Sequence, residues 1–560
     1  MFLRSFVLLI ASSFICSIVS AQTRSFTHAD TLRGTITPER AWWDVQHYDI
    51  TVKPDYNART IAAKNLMTYK TVSHSSKQRL QLDLQEPLVI DSIILDQSSL
   101  LTFSKEGNAW HVDMPDQSKN SKHTLAIYYQ GKVHEAKRAP WDGGWIWAKD
   151  SLGRPWMTVA CQGLGASVWF PCKDHQSDEP DAGASLTMIV PDTLVAIGNG
   201  RLQAKTDNKD GTMTYTYAVT NPISTYCIIP YIGKYANFKE SYKGEKGTLD
   251  INYWALDYNE KIAREYMPKE VHNMLSAFEH WFGPYPFYED GYQLIETSHT
   301  GMEHQSAVSY GNWYKPGYRG RDGSGTGLGM KWDFIIIHES GHEWFGNNIT
   351  TKDLADMWVH EGFTNYSETL FVDFIFGEES GNAYNKGIRR GIRNDKPIIA
   401  PYGVNAQGSG DMYPKGGNLL HAIRHSLNND KLFREVLRGL NKTFYHQTVT
   451  SKQVEDYISA KTKFNYSKVF DQYLRTVQIP TFEFTVVPGG TTVRYRYSNC
   501  IPGFNLPITL KNGSTVVKLL PTDQWKETKL AKEQAALVTA ENIENMYYVK
   551  PVVVENKTAK

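Results

Sequence analysis

"IIIHESGHEWFG", Ile335–Gly346, sets an apolar run directly against two histidines and two glutamates. His338 and His342 are four apart, so on a helix they project from one face, one turn after the other. Asp333 to Asn347 reads as that helix, with Ile336, Ile337, Gly341 and Phe345 on its inner face. Two imidazoles so placed both reach one Zn²⁺ at about 2.0–2.1 Å. Glu339, beside the first histidine, addresses a water at the metal rather than the metal itself. A solvated, charged helix face is the competing reading of the same letters.

A catalytic zinc takes three protein ligands and keeps a fourth position open. Downstream, "DMWVHEGFTNYSETLFVDFIF" is apolar at helical spacing and carries Glu361, 19 residues after His342. A helix, the short loop "GNNITTKD" and a returning helix bring Glu361 back beside the histidines. A carboxylate among Trp358, Phe363 and Leu370 is costly to bury without a partner, and a metal is such a partner. His360 points elsewhere on that helix and reads as structural. Glu343 and Glu368 read as solvated in preference to supporting the ligands.

Around this centre the chain divides into three blocks. From about Trp42 to Lys246, segments such as "HYDITVKPD" and "TMTYTYAVT" alternate with period two between Asn, Gly, Asp and Pro, the pattern of a large antiparallel assembly. From about Tyr258 the period becomes helical, beginning with "NEKIAREYMPKEVHNMLSAFEHWFG" and its stop at "GPYPF". After about Arg475 two hairpins appear, "TFEFTVV-PGG-TTVRYRYS" and "LPITLK-NG-STVVKLL" with an Asn-Gly turn, and these read as a small β-sandwich. The expected division is an N-terminal β domain over 22–255, a mostly helical α/β catalytic domain over 256–478 and a C-terminal sandwich over 479–560.

A chain of 560 residues exceeds one hydrophobic core. A formal net charge of +1 gives no field for steering nucleic acid. Residues 1–21, with Arg4, an apolar core from Phe6 to Val19 and Val-Ser-Ala before Gln22, read as a secretory signal peptide. The expected mature protein is therefore periplasmic or secreted, with no integral membrane segment. Cys161, Cys172, Cys227 and Cys500 are too few for a disulfide framework and wrongly spaced for a zinc site, so they read as core residues with at most one bridge.

His338-Glu339-x-x-His342, then 18 residues and Glu361, within "EWFGN" and "WVHEGF", resembles the aminopeptidase N and leukotriene hydrolase family of gluzincin-type zinc aminopeptidases. "DVQHYDI", "CQGLGASVWFPCKD" and "FEHWFGPYPF" extend the resemblance over about residues 42–480. It implies a multidomain fold of β-saddle, thermolysin-like catalytic domain and β-sandwich. It implies one zinc per chain, held by His338, His342 and Glu361, with Glu339 as general base. The substrates implied are peptides with a free N-terminus. "GMEHQ" resembles the family's amine-binding signature, so Gly301, Met302 and Glu303 are expected at the substrate, Glu303 on its amino group. Thr300 and His304 depart from that signature, which puts the hydrogen bonding of the loop in question. Gln162 matches the family's assisting amide. Tyr413, in "MYPKGG", matches the tyrosine that stabilises the oxyanion, with Tyr402 as its rival. Most relatives carry a further helical C-terminal domain, and the chain resembles a short form without it.

Overall fold

The computed structural model describes residues 25–74, 78–486 and 490–555. The expected signal segment lies outside the described residues. The order β, helical, β is present as expected.

The N-terminal block is organised on the long hairpin of Trp43–Asp55 and Thr60–Thr71, at the middle of an eight-stranded sheet. Val45, Tyr48, Ile50 and Val52 are fully buried along the first strand, so its alternation does place one face on the core. The sheet is antiparallel except where Tyr48–Val52 runs parallel to Ala184–Met188. A four-stranded and a three-stranded sheet complete the block. Trp43, Trp145 and Trp169 are among the large side chains of its core.

The helical block starts earlier than expected. Tyr235–Gly244 and Gly247–Leu256 pair with each other, and the second runs parallel to Tyr292–Glu296. The resulting five-stranded sheet continues through Val308–Tyr310 to Gly301–Met302 at its edge. Leu249, Ile251 and Tyr253 share a core with the helix Glu260–Phe282. The division at 255/256 therefore cuts through a sheet that belongs to the helical block. The period-two pattern looks the same whichever core receives its apolar face, so it did not mark the change.

The helix bearing the histidines is Phe334–Gly341, shorter than the expected span to Asn347. Asp333 caps it, accepting from the Ile336 amide at 3.0 Å and from the hydroxyls of Tyr266 and Tyr310. Beyond His342 the chain widens into one π turn and then leaves helical conformation at Phe345 and Gly346. Gly346 has φ of +137°, which a side chain resists. The departure lets the Phe345 carbonyl turn back to His342 Nδ1 at 3.0 Å.

Trp358–Phe376 forms the returning helix, buried on every side from Trp358 to Val372. A later helix packed on it, Pro414–Leu427, crosses it at two glycines. A Cβ on Gly416 would stand 2.9 Å from the Gly362 Cα, so only glycine allows this approach. Tyr413, the residue before that helix, is thereby carried to the histidines.

In the C-terminal block, Thr481–Val486 pairs with Thr492–Ser498 inside a four-stranded sheet, beside the separate hairpin of Ile508–Asn512 and Thr515–Leu519. The turn of that hairpin is Gly513-Ser514, one residue later than expected, because Gly513 takes the positive φ. The apolar side chains of this block are continuous with the core of the helical block. All four described cysteines are free thiols, and Cys161, Cys172 and Cys227 are buried. Among the described residues no helix is long and apolar enough to cross a membrane.

Candidate active site

A cleft of about 930 Å³ is lined by the Pro140–Asp142 and Gln162–Leu164 loops on one side and by the helical block on the other. His338, Glu339, His342, Glu361, Glu303, Gln162, Tyr413, Gly301 and Met302 all line it. Tyr402 does not: it is 54% exposed and donates to Asp356 at 2.7 Å.

The two histidine rings lie 5.2 Å apart. His342 Nε2 and His338 Nε2 stand 3.3 and 3.9 Å from Glu361 Oε2. Ligand atoms around a tetrahedral zinc with bonds near 2.05 Å are about 3.3 Å apart, so the three residues fit that ion. Two further observations agree. Glu361 Oε2 is buried without a well-formed hydrogen bond. Both histidines have Nδ1 engaged by the protein, His338 with Glu368 and His342 with the Phe345 carbonyl and Thr364 Oγ1, which turns both Nε2 atoms to the same point. Burial opposes charge throughout, yet His342 holds Glu361 well below the usual carboxylate range, and Glu361 pushes His342 up in return.

Glu339 projects into the cleft one residue after the first ligand. Burial pushes its carboxyl up to about 7, with Glu303 adding to the effect and His338 and His342 opposing it. Gly301 lies against it: a Cβ there would meet Ile335 Cγ2 at 2.6 Å and Glu339 Oε1 at 2.8 Å.

Glu303 is buried, and its Oε1 accepts from Gln162 Nε2 at 2.5 Å and from the Tyr226 hydroxyl at 3.0 Å. Burial raises its pKa. Its carboxylate, Glu339 and His342 each offer an atom within 4.8 Å of the others. Of the two departures in this loop, His304 is satisfied at Nδ1 only, its buried Nε2 having no hydrogen-bond partner among the described residues. His304 is buried, kept neutral by burial, and pairs through Nδ1 with Tyr231 Oη at 2.6 Å and Ser309 Oγ at 3.1 Å. Thr300 lines the cleft while its carbonyl accepts from the Gly311 amide.

Tyr413 stacks near His338, with ring centroids 6.1 Å apart. Burial first, and then Glu361 and Glu303, keep its phenol protonated. His360, read as structural, is buried and accepts from the Thr351 amide at 2.9 Å.

Glu343 and Glu368 correct the sequence reading, for neither is solvated. Glu368 is fully buried, its Oε1 2.7 Å from His338 Nδ1 and its Oε2 accepting from Tyr384. Its signal was the seven-residue spacing from Glu361, two turns along one helix face. Glu343 is also fully buried and accepts from the Ser306 amide at 2.8 Å and from Tyr285, tying the Glu303 loop to the histidine segment. Tyr226 was missed, and nothing local in the sequence marks it.

The "Peptidase M1 N-terminal domain" model matches residues 44–227 and the "Peptidase family M1 domain" model matches 329–473, together more than half of the chain. Aminopeptidase N of Lactococcus lactis subsp. lactis is 22% identical over 72% of this chain and 48% of that protein. Endoplasmic reticulum aminopeptidase 1 of Mus musculus is 24% identical over 50% of this chain and 31% of that protein. The chain thus spans about a third to a half of the length of these relatives. A solved M1 zinc metallopeptidase mutant from Deinococcus radiodurans, bound to a Tyr-Ser-Ala substrate, superposes with a TM-score of 0.63 at 20% identity. That alignment covers 78% of this chain and 95% of that one. With both domain models matched in order and a zinc-type ligand set in the cleft, the chain belongs to peptidase family M1, a family of zinc metallopeptidases.

Proposed function

We propose that this protein is a zinc-dependent aminopeptidase that removes the N-terminal residue of peptides. The observation that carries this reading is the buried Glu303 carboxylate, presented by Gln162 and Tyr226 within 4.8 Å of Glu339 and His342. An endopeptidase has no use for an anion at that point. A substrate's α-ammonium supplies the countercharge that burial makes costly to forgo.

His338, His342 and Glu361 would hold the metal. When bound, zinc polarises the scissile carbonyl and lowers the pKa of a water. Glu303 and Gln162 hold the amino end, so the first peptide bond comes to Glu339. Gly301–Met302, the edge strand of its sheet, offers backbone groups to an extended substrate. Glu339 takes the proton of the attacking water and then delivers it to the leaving amine. Tyr413 donates its phenolic proton in a hydrogen bond to the oxyanion that develops at the carbonyl. The N-terminal segment supports export, with the mature chain starting at Gln22, which N-terminal sequencing checks.

The deciding experiment compares free and N-acetylated peptides of one sequence. Acetylation is expected to lower kcat/KM by about a hundredfold or more, since Glu303 is then desolvated without a cation. Glu303→Ala narrows the gap by slowing the free-amine peptide. Efficient internal cleavage of acetylated peptides by the wild type would instead make it a zinc endopeptidase.

A further inference from the structure

We infer that Arg321 is the anchor for the C-terminal carboxylate of short peptide substrates, which makes tri- and tetrapeptides the preferred class. The inference rests on the aminopeptidase reading above and concerns the opposite end of the same cleft.

Among the described residues that line the cleft, Arg321 is the only lysine or arginine. The carboxylates of that wall are concentrated at the other end or already used. Glu303, Glu339 and Glu361 gather at His342 and His338, and Glu368 is taken up by His338 and Tyr384. Asp142 accepts from the Lys137 and Arg138 amides, and Asp322 from Ser324 and Gly327. Arg321 is exposed, and its guanidinium has no hydrogen bond or ion pair among the described residues. Its backbone is held by paired bonds with Tyr318, at 2.9 and 3.1 Å, so the side chain springs from a fixed turn.

The order of groups along the cleft gives the direction. The Tyr318 ring packs on Phe334 at 5.5 Å, and Phe334 stacks on His338 at 5.2 Å. Arg321 therefore stands beyond the Phe334 end of the histidine helix, while Glu303 stands at the His342 end. Phe334 and His342 are eight residues apart, roughly 12 Å along a helix. An extended tripeptide reaches roughly 10 Å and a tetrapeptide roughly 13 Å. A zwitterion of that length meets an anion at its ammonium and a planar, two-pronged cation at its carboxylate. Longer peptides carry their terminal charge past Arg321, into solvent where it is screened.

The test uses the intact protein and one tripeptide, as its free acid and as its C-terminal amide, with wild type, Arg321→Ala and Arg321→Lys. In the wild type the acid is expected to have kcat/KM about five- to tenfold above the amide, expressed in KM, because the contact is equal in ground and transition states. Arg321→Ala brings the ratio to about one, Arg321→Lys restores part of it, and a hexapeptide pair shows little preference in any of the three. A purely structural Arg321 would slow acid and amide alike and leave their ratio intact. An acid-to-amide ratio near one in the wild type, or one that Arg321→Ala leaves unchanged, overturns the inference. If neither tripeptide is turned over, the aminopeptidase reading has failed. Calorimetric titration of the same acid and amide into wild type and Arg321→Ala then still decides the role of Arg321.

Discussion

Glu368 Oε1 lies 2.7 Å from Nδ1 of His338, thirty residues away and on the neighbouring helix. The carboxylate accepts the Nδ1 proton, which leaves Nε2 as the lone-pair donor facing Glu361. Tyr384 and Asn365 hold the carboxylate in turn.

Loss of that bond is expected to weaken zinc binding without removing a ligand. Glu368→Ala should lower zinc affinity about 10- to 100-fold, read by competition with a chromogenic chelator. Wild-type affinity in the variant would mean that packing alone orients His338.

Glu339→Gln keeps shape and hydrogen-bonding capacity but removes the carboxylate proposed as the base. The variant is expected to retain about one zinc per chain by metal analysis and to lose several orders of magnitude in kcat. Loss of the metal instead would place Glu339 among the ligands. Exhaustive chelation of the wild type should abolish activity, and zinc should restore it.

Tyr413→Phe removes one hydroxyl from a ring that packing holds in place. The expected loss is about 10²–10³ in kcat, with inhibitor affinity little altered, since the hydrogen bond forms fully only at the oxyanion. Tyr402→Phe is the control, its hydroxyl being spent on Asp356.

The glycine crossing is expected to be as sensitive as a catalytic residue. Gly416→Ala forces its helix away from Gly362, at an overpacking cost of about 1–3 kcal/mol. A lower Tm and a kcat loss exceeding any change in KM are expected, as Tyr413 precedes that helix directly. Gly410→Ala, where a Cβ meets open space, should behave as wild type in the same assays.

The ligand set was legible because its spacings are local consequences of helix geometry. His338 and His342 must share a face at an interval of four, and a return helix needs only a short loop to restore Glu361 to that face. The three blocks were legible for a similar reason, since period two and period 3.6 are written along the chain itself. The tertiary structure alone decided which core each pattern serves. Strands 235–256 alternate like those before them, yet bury Leu249, Ile251 and Tyr253 against a helix that follows. It alone decided that Glu343 and Glu368 are buried, because a carboxylate reads as solvated until its partners, Ser306, Tyr285, His338 and Tyr384, come to it from distant segments. The Pro-Lys-Gly that follows Tyr413 already favours it over Tyr402; what the structure adds is the close crossing at Gly362 and Gly416 that carries it to the histidines. Local geometry fixes the spacing of ligands along one helix, but the desolvation and pairing that give a buried charge its role depend on contacts between segments far apart in the chain.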